Sequence, residues 1–131
     1  MIAQPKHRAF IVVVDPEPND YLSLSHTKEL GDADFEFLKS ARDALRFESE
    51  RTPELWIINM NLPDMSGLDV YTMLVSRWPG VPVYLVGDDY RPEDEVSARS
   101  SGATFYFCKP LDGRWLAGAT ADLCDATYAS R

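Results

Sequence analysis

Three side chains able to do chemistry stand just past apolar runs, each at the point where a strand would end. Asp15 follows Phe10–Val14, Asn59 follows Leu55–Ile58, and Lys109 follows Thr104–Cys108; Gly87 holds the same place after Val83–Val86. In an α/β chain the carboxyl ends of central strands are where reaction sites are built. An Asp at position 59 would be both a nucleophile and a ligand for a hard cation. The Asn that stands there is a neutral ligand and a very poor nucleophile. Whether the site can perform phosphoryl chemistry turns on that exchange of oxygen for nitrogen.

The elements that must position these residues repeat five times. Strand patterns occur at Phe10–Val14, Phe35–Leu38, Leu55–Ile58, Val83–Val86 and Thr104–Cys108. The first, third and fourth are continuous Val/Ile/Leu runs, the pattern of parallel strands covered on both faces. Helical patterns lie between them. The first spans Pro18 to Leu30 and stops at Gly31; the second opens on a Ser40-Ala41-Arg42-Asp43 capping box with Ala41, Ala44, Leu45 and Glu48 at helical spacing. The third carries Leu68, Tyr71, Leu74, Val75 and Trp78 as one stripe, ended by Pro79-Gly80. The fourth runs from Pro92 to Gly102 and the last from Asp112 to Tyr128, with Trp115, Leu116, Ala119, Leu123 and Thr127 inward. The fourth offers only Val96 and Ala98 as apolar side chains, so it should be weakly held, either as a merely solvated helix or as a movable element or docking face. Right-handed crossovers favour an open, doubly wound sheet with its site where strand one neighbours strand three.

Bulk properties set the remaining bounds. The 131 residues suit one domain with a real core, and 45% hydrophobic with 26% charged residues is ordinary for a soluble globular protein. A net charge of −8 with dispersed basic residues argues against direct nucleic-acid binding. The apolar run Ala9–Val14 is far too short to span a membrane, and no secretory signal is visible. Cys108 and Cys124 have no metal spacing and read as free thiols of a reducing cytoplasm.

Two longer segments carry a resemblance. Asn61-Leu62-Pro63-Asp64-Met65-Ser66-Gly67 is similar to the loop after the phosphoacceptor of response regulator receiver domains, and Gly102-Ala103-Thr104-Phe105-Tyr106-Phe107-Cys108-Lys109-Pro110 resembles their fifth-strand signature. The resemblance covers about Arg8 to Tyr128. It implies a single flavodoxin-like (βα)5 domain over residues 1–131, with strand order 2-1-3-4-5 and a cis Lys109-Pro110 bond. In that family an Asp takes up a phosphoryl group beside Mg2+, a Lys pairs with the phosphate, and a Ser or Thr after strand four donates to it. A strand-five aromatic then turns inward, remodelling the surface of the fourth helix and fifth strand.

Matched position by position, the resemblance keeps the first acid as Asp15 but puts Pro16 where the second, metal-binding acid belongs. The phosphoacceptor position is Asn59, the metal-facing carbonyl belongs to Asn61, the hydroxyl position is Gly87, and Tyr106 and Lys109 retain the switch aromatic and the lysine. With Asp15 and Lys109 alone counted, the pocket is neutral, so weak or absent Mg2+ binding and no catalytic residue are expected, leaving Asp15, Asn59 and Asn61 as vestigial metal positions. Lys109 should pair with Asp15 or hydrogen-bond Asn59. The expectation is a degenerate, non-enzymatic receiver in phosphorelay signalling. Its partners would be a histidine kinase, a regulator or an output domain, met in the cytoplasm through the fourth helix, fifth strand and fifth helix, with Tyr106 and Val96 on that face. The alternative is a working phosphoacceptor that uses Mg2+ and another carboxylate: Asp15, Asp64 or Asp88. Asp88-Asp89 would more simply cap the following helix. A small-ligand module remains as a residual third class.

Overall fold

A computed structural model describes residues 9–22 and 33–111. Five parallel strands, β1 (Phe10–Val14), β2 (Asp34–Leu38), β3 (Leu55–Asn59), β4 (Val83–Gly87) and β5 (Phe105–Cys108), form one sheet in the order β2-β1-β3-β4-β5. Every neighbouring pair is parallel, with Val14 beside both Leu38 and Ile58, and Asn59 beside Val86. The switch point therefore lies between β1 and β3, flanked by Asp15 and Asn59.

Continuous burial of β3 and β4 follows from side-chain alternation with both faces covered. Val12, Val14, Trp56, Ile58, Val83 and Leu85 form one cluster with Ala41, Ala44, Val70, Leu74 and Ala98 from three helices. Ile11, Val13, Leu55, Ile57, Tyr84 and Val86 form the other, together with Tyr21.

The connections start where their sequence signals place them. Pro18 opens a 3-10 turn, Pro18–Tyr21, and the remainder of the expected first helix lies outside the described residues. The helix Ala41–Arg46 is capped by Ser40, whose hydroxyl accepts from the Asp43 amide. It ends before Glu48, so that residue is not part of its inward face. In the helix Gly67–Arg77 the inward residues are Val70, Tyr71 and Leu74, whereas Val75 is exposed. Placing Val75 in the stripe chose the wrong side of Leu74: Val70 lies four residues before Leu74 and one before Tyr71, on the shared face. The helix Pro92–Ser101 ends at Gly102 and buries only Ala98, while Val96 is 64% exposed. β5 starts at Phe105 rather than Thr104, and the Lys109-Pro110 bond is cis. The last helix expected from Asp112 lies outside the described residues. No helix among the described residues is long and apolar enough to cross a membrane.

Candidate functional site

The site is built on β1 and β3 and closed by two loops. Asp15 leaves β1 fully buried, with its amide bound to the Leu38 carbonyl of β2. One of its carboxylate oxygens accepts the Glu17 amide at 2.8 Å. The other accepts the Tyr21 hydroxyl at 2.8 Å, Asn59 Nδ2 at 2.9 Å and Lys109 Nζ at 3.0 Å. The turn at Pro18 brings Tyr21 back over the strand end, which is how a residue six positions on reaches Asp15. Burial, and then the Asp15 charge, holds the Tyr21 phenol far above its ordinary pKa, so it stays a donor.

Asn59 is fully buried and fully used. Its Nδ2 donates to Asp15 and, at 3.0 Å, to Asp88 Oδ1, while its Oδ1 accepts the Asn61 amide at 2.7 Å. The amide orientation is forced, since the reverse would set oxygen against two carboxylates and NH2 against an N–H. Behind it the backbone is pinned by Gly67, where a Cβ would strike the Asn59 carbonyl oxygen and carbon. Only glycine lets the next helix begin so close to β3.

Lys109 follows β5 with a side chain 12% exposed and touches three carboxylates: Asp20 at 2.7 Å, Asp15 at 3.0 Å and Asp88 at 3.2 Å. Burial works against its charge, yet the bonds to Asp20, Asp15 and Asp88 outweigh that and hold the ammonium above its ordinary pKa. Asp88 is likewise desolvated, but the bonds from Asn59 and Lys109 draw its carboxyl below the ordinary value.

This arrangement corrects the charge expected of the pocket. Counting Asp15 and Lys109 alone made it neutral; with Asp20 and Asp88 present, three carboxylates face one ammonium, a formal −2. Asp20 comes from the Pro18–Tyr21 turn after β1, where no strand pattern marks it as part of the site. Asp88 does not cap the following helix as its sequence position suggests: the cap position of Pro92–Ser101 is Arg91, and Asp88 turns into the site instead. Glu17, two residues past Asp15, is exposed and contributes its amide. Asp64 points elsewhere: its two oxygens accept the Ala41 and Arg42 amides at 2.9 and 3.0 Å, capping that helix. Pro16 brings no carboxylate, and Asn61 contributes its amide.

Negative charge alone does not make a cage for Mg2+, which takes oxygen ligands in near-octahedral geometry. The oxygens of Asp15 are taken by four donors, and the group of Asn59 that faces Asp15 and Asp88 is NH2. Among the described residues no group of three or more His, Cys, Asp or Glu side chains is placed to hold a metal. The residues as arranged do not fit the ion: ammonium and amide hydrogens stand where it would sit.

Fold and site together define a doubly wound α/β domain with an acid-and-lysine cluster outside the carboxyl ends of β1, β3 and β5. The pattern of the response regulator receiver domain matches residues 11–120, and the chain belongs to that family. It is thus a receiver domain of two-component signalling. The transcriptional regulatory protein KdpE of Mycobacterium tuberculosis is 31% identical over 101 residues, covering 77% of this chain and 44% of its own length. The regulatory protein LuxO of Vibrio cholerae is 30% identical over 81 residues, 62% of this chain and 18% of its own. The chain thus spans less than half of these curated relatives. Among solved structures, a response regulator receiver domain protein from Clostridium thermocellum superposes with a TM-score of 0.80 at 21% identity, covering 94% of this chain and 99% of its own. A CheY-like receiver domain protein from Methanospirillum hungatei JF-1 gives 0.77 at 20%, over 95% and 100% of the two chains. Both share the fold.

Proposed function

We propose that this receiver domain signals without being phosphorylated, as a protein-interaction module of the pseudo-receiver type. One observation carries the reading: the side chain at the phosphoacceptor position spends both N–H groups on Asp15 and Asp88 and its oxygen on a backbone amide. A carboxamide carries no negative charge and is a very poor nucleophile, and here its oxygen is already turned to a backbone amide rather than to the pocket. The domain then has no catalytic group and no resident cofactor. Its partners would be a histidine kinase, another regulator or an output domain, all cytoplasmic. They would dock on the face that carries Tyr90, Val96 and Phe105, which are 60%, 64% and 41% exposed. No nucleic acid and no membrane is engaged through this domain.

The test is intact-mass measurement after incubation with acetyl phosphate and Mg2+. No phosphoryl adduct is expected, and a stable one on an aspartate would overturn the reading. The second reading, phosphorylation of another carboxylate, is favoured by one contact: Asp88 is half exposed and lies 3.2 Å from Lys109. Asp15 is buried under four donors and Asp64 is a helix cap, so that reading narrows to Asp88. Loss of the adduct in Asp88→Asn would establish it.

A further inference from the structure

Gly87 ends β4 without any need for glycine's backbone freedom. Among the described residues, positive φ occurs only at Gly80 and Gly102, so an L-residue could take the conformation of Gly87. What excludes one is a side chain. A Cβ on Gly87 would lie 2.6 Å from Tyr106 Oη and 3.3 Å from Cζ, with the Asp89 carbonyl oxygen at 3.1 Å. The Tyr106 ring therefore fills the space that any other residue at 87 would claim.

The phenol is held there from more than one side. Cys108 Sγ donates to Tyr106 Oη at 3.4 Å, and the ring packs against the cluster that contains Ala98 and Leu85. The Tyr106 ring thereby joins the end of β4 to the cluster that holds Ala98 of the Pro92–Ser101 helix. That helix has little else to hold it: Ala98 is its one buried residue, and its first turn carries Glu93, Asp94 and Glu95 on a solvated face. The placement of Tyr106 therefore bears on how Ala98 is packed and on the exposed surface around Val96.

We infer that Gly87 is a positioning residue: by leaving its Cβ space empty it lets Tyr106 lie permanently inward, and so holds the surface of the Pro92–Ser101 helix and β5 in one state with no chemical trigger. The inference rests on the phosphorylation-independent reading for its signalling consequence, but its geometry stands separately. An ordinary side chain at 87 would make the inward position conditional. Glycine removes the condition.

Amide hydrogen exchange over residues 92–101 tests this in the wild type, Gly87→Ala, Tyr106→Phe and the double variant, with circular dichroism to verify folding. Gly87→Ala should expel the phenol and speed exchange in this helix by about tenfold or more, since it becomes a local opening unit. Tyr106→Phe alone should exchange like the wild type. The double variant should return to within about threefold of the wild type, because removing Oη leaves the approaches of Cζ at 3.3 Å and the Asp89 carbonyl oxygen at 3.1 Å, which shifts of a few tenths of an ångström relieve. Tyr106→Ala, which removes the ring from an unaltered position 87, should speed exchange as Gly87→Ala does, and serves should that variant not fold. Unchanged exchange in Gly87→Ala or in Tyr106→Ala, or a double variant no slower than Gly87→Ala, would overturn the inference. The same samples, treated with acetyl phosphate and Mg2+ and weighed, separate the two claims. A phosphoryl adduct with wild-type exchange unaltered sinks the functional reading and leaves the Tyr106 lock intact. No adduct with fast exchange insensitive to position 87 does the reverse.

Discussion

Replacing Asn59 with Asp, the change that would restore a phosphoacceptor, should destabilise this protein and make its stability depend on pH and Mg2+. Asn59 Nδ2 lies 2.9 Å from Asp15 and 3.0 Å from Asp88, and the substitution puts oxygen at both contacts. Two unit charges about 3 Å apart repel by roughly 6 kcal/mol at an effective dielectric near 20. Keeping a proton on an acid of ordinary pKa near 3.9 costs only about 4 kcal/mol at pH 7. The smaller cost wins, so the new acid stays protonated and its pKa rises. Its single O–H then serves buried Asp15, leaving Asp88 to water. With partial relief from Lys109, the net loss is about 3–5 kcal/mol at pH 7 and about 1 kcal/mol near pH 4, where the proton is bound in the unfolded chain too. The sign follows from the proton count: the folded variant binds more protons than the unfolded chain above pH 4, so its stability falls as pH rises. Urea unfolding followed by buried Trp56 fluorescence, from pH 5 to 8, measures this. Added Mg2+ should restore about 2.7 kcal/mol at a hundred times its Kd in the variant and nothing in the wild type. A variant as stable as the wild type at pH 7 without Mg2+ would refute the donor role given to Asn59.

Other perturbations probe the same network and its surroundings. Lys109→Met strips the ammonium from three carboxylates and should cost about 3–5 kcal/mol in urea unfolding at pH 7. The raised pKa of Lys109 means that its contribution is complete below the unfolded value near 10.4 and is lost only as pH rises through the folded value, so the deficit should be flat from pH 6 to 9. Asp64→Ala should raise exchange at the Ala41 and Arg42 amides, the two groups it caps. Those backbone bonds lower the Asp64 pKa, so its contribution is present above the unfolded value near 3.8 and disappears as pH falls through the folded one; amide exchange in acid would show it. Ala98→Asp should loosen the Pro92–Ser101 helix by about 3 kcal/mol, whereas Val96→Asp on the same helix should change stability by less than about 0.5 kcal/mol.

The strands were legible because parallel strands buried on both faces leave unbroken apolar runs, as at Val83-Tyr84-Leu85-Val86, and the switch point then follows from crossover handedness. Helix faces were less so. Around Leu74, Val70 and Val75 are both apolar, and only the packing against β3 and β4 decides that Val70 is inside. The site was legible where strands deliver its residues, as with Asp15, Asn59 and Lys109. It was not legible where loops do, because neither the 3-10 turn that carries Asp20 nor the path of Asp88 back over β3 has a periodicity to read.

On the phosphorylation-independent reading, Asp20 and Asp88 change what an Asn at position 59 means. A pocket that had merely lost its acids would have no charge to balance. This one keeps three carboxylates and answers them with hydrogen-bond donors: the Lys109 ammonium, the Asn59 carboxamide, the Tyr21 hydroxyl and the Glu17 amide. Buried carboxylates need donors or a cation, and removing either leaves a charge uncompensated. In this chain the donors are covalently part of the protein, so the balance cannot come and go with a diffusible ion. Asn59 is then better understood as the donor that replaces the cation than as a damaged nucleophile. Gly87 completes the same logic at the neighbouring strand end, where the phenol of Tyr106 fills the gap in place of a hydroxyl that could be engaged or released. On that reading both positions hold by an intramolecular contact what a bound ion or phosphoryl group would otherwise hold.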